Sequence, residues 1–233
     1  MLVFFMLLRC NFPEEDNSPW KVGYHGALKN IMKKGDLSAR IQLASMDTIR
    51  NLYAIGAKED LNGEIQIFHS APMNSRIVDN QVVIDSSLTG AATLLVYASV
   101  EKWKEIPVPA EVESYDEVEK FIKSTAKKND INLGHPFPFM LTGKASSIDW
   151  HIIKWKEGDM EHSHEKHINS GLNGTLKNID VEMIGFYSDA HHGIFTHHTT
   201  DMHIHFKTKS SGIAGHVDEL FLGSGMKLLL PDK

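Results

Sequence analysis

From Gly134 to the carboxy end the chain is a succession of short stretches in which apolar and polar residues alternate, separated by glycine and small polar residues. Such stretches run over Pro138–Thr142, Ser147–Trp155, Gly171–Lys177, Val181–Tyr187, Asp201–Lys207 and Gly215–Leu222. Period-two alternation suits strands with one face in a core and one in water, as in antiparallel sheets. It excludes an all-helical fold and predicts an antiparallel, barrel-like half over 134–233.

Residues 21–133 read differently, as a mixed half. Leu37 to Ala54 has apolar residues at helical spacing and predicts a helix entered from Lys34-Gly35-Asp36. Asn62-Gly63 is a turn signal between Leu61 and the alternating GEIQIF. Gln81–Ser86 and the apolar run Thr93–Val100 read as strands, and Ser114–Ala126 as a helix capped by Ser114. The halves divide near the polar stretch 124–136. The fold class is therefore α+β, with a mixed sheet and helices in the first half, antiparallel strands in the second, and any metal site between them.

Residues 1–20 form an apolar start and a tether. Met1–Leu8 is too short to span a bilayer and is followed by NFPEEDNSP. The run resembles the apolar part of an export signal that lacks a basic start. Cys10 at its end suggests a lipid-attachment site, although Arg9 stands where such sites carry a small residue. Export to a periplasmic or lipid-anchored location is favoured over the cytoplasm, the competing reading being a mis-assigned start or a short apolar tail.

The net charge of −6 and the scattered lysines give no basic stripe and no reason to expect nucleic acid. Cys10 is the only cysteine, which excludes a disulfide framework and a thiolate zinc site. Any metal must be held by nitrogen and oxygen. Histidine is the outlier: 14 copies, eleven of them between His151 and His216.

Within that stretch, His203 and His205 alternate with Met202, Ile204 and Phe206, so both imidazoles share one strand face. KTKSSGIA then reads as a turn, and GHVDELFLG as a returning strand. A hairpin folded about Ser210–Ser211 sets His216 directly opposite His205, with β-carbons about 4.5–5.5 Å apart. Three imidazoles then converge at ligand spacing and leave coordination positions open, as in a catalytic rather than a structural site. The competing reading is a pair of surface histidines with an unrelated third. Two other clusters read as bland. Glu161–His167, EHSHEKH, reads as a solvated loop, while His191-His192 and His197-His198 either line the mouth of the site or face water, with water favoured.

The pattern H-x-H, nine residues, then G-H-V resembles the acetolactate decarboxylases, as does the context Ile184–Ser188, Met202–Phe206 and Ala214–Val217. Upstream, Tyr53–Gly56 and Leu61–Ile65 resemble the segment that carries the family's active-site glutamate. The resemblance covers roughly residues 20–225. It implies His203, His205 and His216 as metal ligands, usually of zinc, and Glu64 as a metal neighbour or proton carrier. It also implies a small 2-hydroxy-3-oxo acid as substrate and conversion of 2-acetolactate to acetoin and CO2. Glu64 would need a pKa raised by burial to carry a proton near neutrality.

Two features depart from the family. Its arginine falls at about Met140, with Lys144 the nearest cation, and its second glutamate, by spacing from His216, falls beyond Lys233. A lyase or isomerase of the same fold with another hydroxy-oxo acid, and a non-catalytic metal-binding protein, stay open as alternatives. The metal (zinc, copper, nickel or iron on imidazole alone) and the oligomeric state, a homodimer among the options, stay open too.

Overall fold

The computed structural model describes residues 16, 18–210 and 212–233; the apolar start with Cys10 lies outside the described residues. The first half contributes strands β1 (Gly23–His25), β2 (Ile41–Gln42), β3 (Leu52–Lys58), β4 (Glu64–Phe68), β5 (Ala71–Pro72), β6 (Asn74–Val78), β7 (Gln81–Asp85) and β8 (Ala91–Ser99). After them come β9 (Trp103–Pro107), β10 (Phe137–Ile152), β11 (Leu172–Tyr187), β12 (Met202–Thr208), β13 (Ala214–Leu222) and β14 (Lys227–Pro231). The helices are α1 (Leu28–Lys34), α2 (Tyr115–Lys128) and α3 (His164–Asn169). None of the helices is long and apolar enough to cross a membrane among the described residues.

Two antiparallel sheets result. The first runs β1-β8-β3-β4-β6-β7, with β2 on β8 and β5 on β4; the second runs β11-β12-β13-β10-β14-β9. Because β10 also pairs with β11, strands β10 to β13 close on themselves as a small barrel, as the alternation in the second half predicts. β9 precedes the polar stretch 124–136 yet pairs with β14 in the second sheet.

Side-chain alternation explains how the first sheet meets the second. Along β3, Tyr53 and Ile55 face the apolar core shared with the second sheet, while Leu52 and Ala54 face the outer side. Along β4, Ile65 and Ile67 take the outer side. Glu64 and Gln66 are therefore turned toward the second sheet, where both are buried. The outer face is closed by Leu43 and Met46 from a 3₁₀ turn over Leu43–Met46.

That arrangement corrects the helix expected over Leu37–Ala54. Gly35, at φ 60°, closes α1 by donating its N–H to the carbonyls of Asn30 and Ile31. Lys34-Gly35-Asp36 is thus an exit, not an entrance. The apolar residues after it belong to the 3₁₀ turn and to β3, which is buried on both faces and so reads as a continuous run. The real helix precedes the glycine. Its residues Leu28, Ile31 and Met32 hold the i, i+3, i+4 spacing of a one-sided helix.

The remaining elements follow the expectations more closely. Ser114 opens α2, and Glu117 reaches back to accept from the Ser114 N–H at 2.9 Å. Strand pairs expected as four separate segments are two strands of 16 residues, β10 and β11, in register from Phe137↔Tyr187 to Ile152↔Leu172. The pairing of β10 with β13, by contrast, slips between Ala145 and Ser147, and this irregularity breaks the alternation. Asn62-Gly63 does lie in the turn into β4. Gly63 has φ 121°, and a β-carbon there would sit 2.3 Å from the Ser75 carbonyl oxygen. Gly63→Ala is expected to cost about 1–3 kcal/mol in a urea titration, because the strain and the clash fall on one residue.

Candidate metal centre

β12 and β13 pair with His205 opposite His216, Phe206 opposite Gly215 and Lys207 opposite Ala214. This is the register expected from a fold about residues 210–211. His203 lies two residues along the same face. The ring centroids are 5.0 Å apart for His203–His205, 5.1 Å for His203–His216 and 5.2 Å for His205–His216. The Nε2 atoms of His203 and His205 approach to 3.1 Å. Tetrahedral ligands with bonds of about 2.0–2.1 Å stand about 3.3–3.4 Å apart, so a small divalent cation suits this spacing.

Hydrogen bonds set which nitrogens face inward. Gln66 donates its amide N–H to the Met73 carbonyl and to Ser75 Oγ at 3.2 Å, so its oxygen faces His205. His205 Nδ1 donates to that oxygen at 3.1 Å, leaving Nε2 with its lone pair. His216 Nδ1 lies 3.3 Å from Asp218 Oδ1, which likewise leaves Nε2 free for a ligand bond. Burial, followed by the charge of neighbouring imidazoles, holds His203 and His205 far below the ordinary histidine range. Neutral, buried imidazoles with lone pairs converging at 3.1 Å are a donor set suited to a divalent metal. Gln66→Leu keeps the volume of the side chain but removes the acceptor for His205. Zinc affinity is expected to fall about 10–100-fold, read by competition with a chelating dye.

Glu64 adjoins this group. Its Oε1 accepts from the Ile153 N–H at 3.0 Å, and its Oε2 lies 3.9 Å from His205 Nε2. Burial raises its pKa to about 7, against the pull of His216 and the Ile153 N–H. A bound cation would draw it down again.

Two residues at the site were not anticipated. His151 of β10 stands opposite His216 on the side away from His205, with ring centroids 4.7 Å apart. Its Nε2 is 3.8 Å from Glu64 Oε1. Asp218, at a register slip between β10 and β13, accepts from His151 Nδ1, with both carboxylate oxygens at 2.9 Å. Burial alone would raise Asp218, but the hydrogen bonds from His151 and His216 outweigh it and hold the carboxyl well below the usual range. His151, His216 and Asp218 thus form a second trio within metal-holding distance, sharing His216 with the first. Period two from His216 marks Asp218 in the sequence; nothing local marks His151, whose place depends on the pairing of β10 with β13.

The histidines open into a cavity of about 390 Å³ walled by α1, α3 and the segment 191–200. The expected solvated loop at Glu161–His167 is instead partly the helix α3, whose His164 and His167 line the cavity. His162 stacks on Trp155 at 4.4 Å and its Nδ1 lies 2.9 Å from His167 Nε2, contacts that give the segment its order. Burial, then the charge of His162, pushes His167 down to about 3. His197 also lines the cavity, and burial brings it to about 4. Its neighbours are tied elsewhere: His191 to Ser188 Oγ at 2.8 Å and His192 to Asp201 at 2.8 Å. Among the described residues no lysine or arginine lines the cavity. Met140 is a core residue, and β10 presents His151 to the cavity instead.

Three solved structures match over 91% of this chain. One is a Staphylococcus aureus protein of unknown function described as similar to alpha-acetolactate decarboxylase, with a TM-score of 0.70, 14% identity and 84% of its length covered. The acetolactate decarboxylases of Bacillus subtilis strain 168 and subspecies spizizenii match with TM-scores of 0.70 and 0.72, at 14% and 15% identity over 86% of each. The chain has the acetolactate decarboxylase fold. The resemblance to that family is therefore borne out at the level of the fold, at a sequence distance that makes this a divergent example of it. No protein-family model matches the chain, and no curated protein matches its sequence.

Proposed function

We propose that the protein is a metal-dependent carboxy-lyase that converts 2-acetolactate, or a close 2-hydroxy-3-oxo acid, to the corresponding acyloin and CO2. The observation that carries this reading is the convergence of His203, His205 and His216 beside buried Glu64, next to a cavity that His203, His216 and Glu64 line. Zinc is the proposed ion, in keeping with three imidazole ligands.

When bound, the divalent cation supplies Lewis-acid stabilisation of the negative charge that develops on the substrate oxygens. The C1–C2 bond breaks, CO2 leaves, and the bonding electron pair passes into the C2–C3 enediolate. Glu64 then delivers a proton to C2, which fixes the stereocentre of the product. The Ile153 N–H holds one of its oxygens and leaves the other directed at the histidines. Burial raises its pKa and so opposes the downward pull of a bound cation, which favours a carboxyl able to carry that proton. Asp218 and Gln66 orient His216 and His205, and the apolar walls exclude water from the reacting carbanion. Without a guanidinium in the cavity, the substrate carboxylate is held only weakly, so KM is expected to be high. Zinc-loaded protein should form acetoin from racemic acetolactate well above background, and chelation should return the rate to background. No acetoin from zinc-loaded protein would contradict the proposal.

A further inference from the structure

Two features of the cavity bear on what enters it. Its charged lining is entirely acidic or imidazole: Glu64, Asp116, Asp218 and Glu219 face it with the histidines, and no lysine or arginine does among the described residues. Apart from the proposed metal ion, a substrate carboxylate therefore meets carboxylates and imidazoles rather than a lysine or arginine. Most of the remaining wall is apolar, Tyr115, Thr199 and Thr200 being the polar residues in it. Leu28, Ile31 and Met32 on α1 line the cavity together with Leu61, Leu94 and Phe195. This wall is held in place, because the Leu28 and Lys29 N–H groups donate to the carbonyls of Ile194 and Gly193, each at 2.8 Å.

The volume is larger than acetolactate requires. At about 30 Å³ per water in the liquid, 390 Å³ corresponds to about thirteen waters, against the nine non-hydrogen atoms of acetolactate. We infer that the cavity takes 2-hydroxy-3-oxo acids carrying a longer alkyl group, such as n-butyl in place of methyl at C2, seated against α1. Apolar contact then supplies affinity that no lysine or arginine supplies through the carboxylate. The inference rests on the proposed decarboxylase reading for the chemistry, but not for the binding.

Binding and turnover are therefore measured separately on the zinc-loaded protein. Calorimetry compares two unreactive acids, 2-hydroxy-2-methylpropanoate and 2-hydroxy-2-methylhexanoate. The three added methylenes should tighten Kd about sixtyfold, about fourfold for each at about 0.8 kcal/mol. Met32→Trp fills the space beside α1 and should cut that ratio at least tenfold. CO2 release from 2-alkyl-2-hydroxy-3-oxobutanoates should follow the same order, with kcat/KM highest for the n-butyl compound. Binding of the two acids within twofold of each other, or an unchanged ratio in Met32→Trp, overturns the inference and leaves the decarboxylase reading standing. A sixtyfold preference with no CO2 from any member supports the apolar lobe and overturns the reaction instead.

Discussion

His205→Ala is expected to lose its metal and its activity together. The side chain is fully buried, its Nε2 is 3.1 Å from His203 Nε2, and its Nδ1 is bonded to Gln66. Two imidazoles do not replace three in holding the ion, so dialysed protein should retain well under one zinc per chain. Acetoin formation should fall by at least about a hundredfold, the scale for removing a main electrostatic stabiliser of a developing oxyanion. The substitution also leaves the Gln66 oxygen unpaired in the interior, a cost of about 1–3 kcal/mol. Circular dichroism of the variant should stay native, which separates loss of the site from loss of the fold. Stoichiometric zinc in folded His205→Ala would remove this histidine from the ligand set.

Glu64→Gln should separate metal from chemistry. The amide keeps an oxygen to accept from the Ile153 N–H and fits the same volume, so β4 and the neighbouring imidazoles stay where they are. It carries no proton that it can transfer. The expected result is one zinc per chain with activity lower by about 10²–10⁴-fold, the usual contribution of a general acid. Activity within a few-fold of wild type would show that another group protonates C2. His151, 3.8 Å from Glu64, would then be next to substitute.

How much of this was legible in the sequence depended on whether the decisive contact was local. The hairpin of β12 and β13 was legible because one rule, alternation with period two, set both the shared face of His203 and His205 and their register with His216. Glu64 entered only through the family resemblance; its inward orientation follows from β4 alternation once Ile65 and Ile67 are known to face the other side. The helix misassigned to Leu37–Ala54 failed for a physical reason. A strand buried on both faces loses its alternation, and Gly35 punctuates a helix end and a helix start with the same letter. His151 was invisible because it joins the site through pairing between β10 and β13, which lie some sixty residues apart, and across a register slip. The order in Glu161–His167 comes from Trp155 and the imidazole pair, contacts that composition does not encode.

The central claim is that a divalent ion sits on His203, His205 and His216 with a position left open. X-ray absorption of the zinc-loaded protein, with metal content measured on the same sample, tests it most directly. The prediction is one zinc per chain with three imidazole nitrogens at about 2.0–2.1 Å and the remaining coordination from water. Zinc bound instead by two imidazoles and a carboxylate would mark the His151, His216 and Asp218 trio as the site. That result, or no retained zinc at all, would contradict the account.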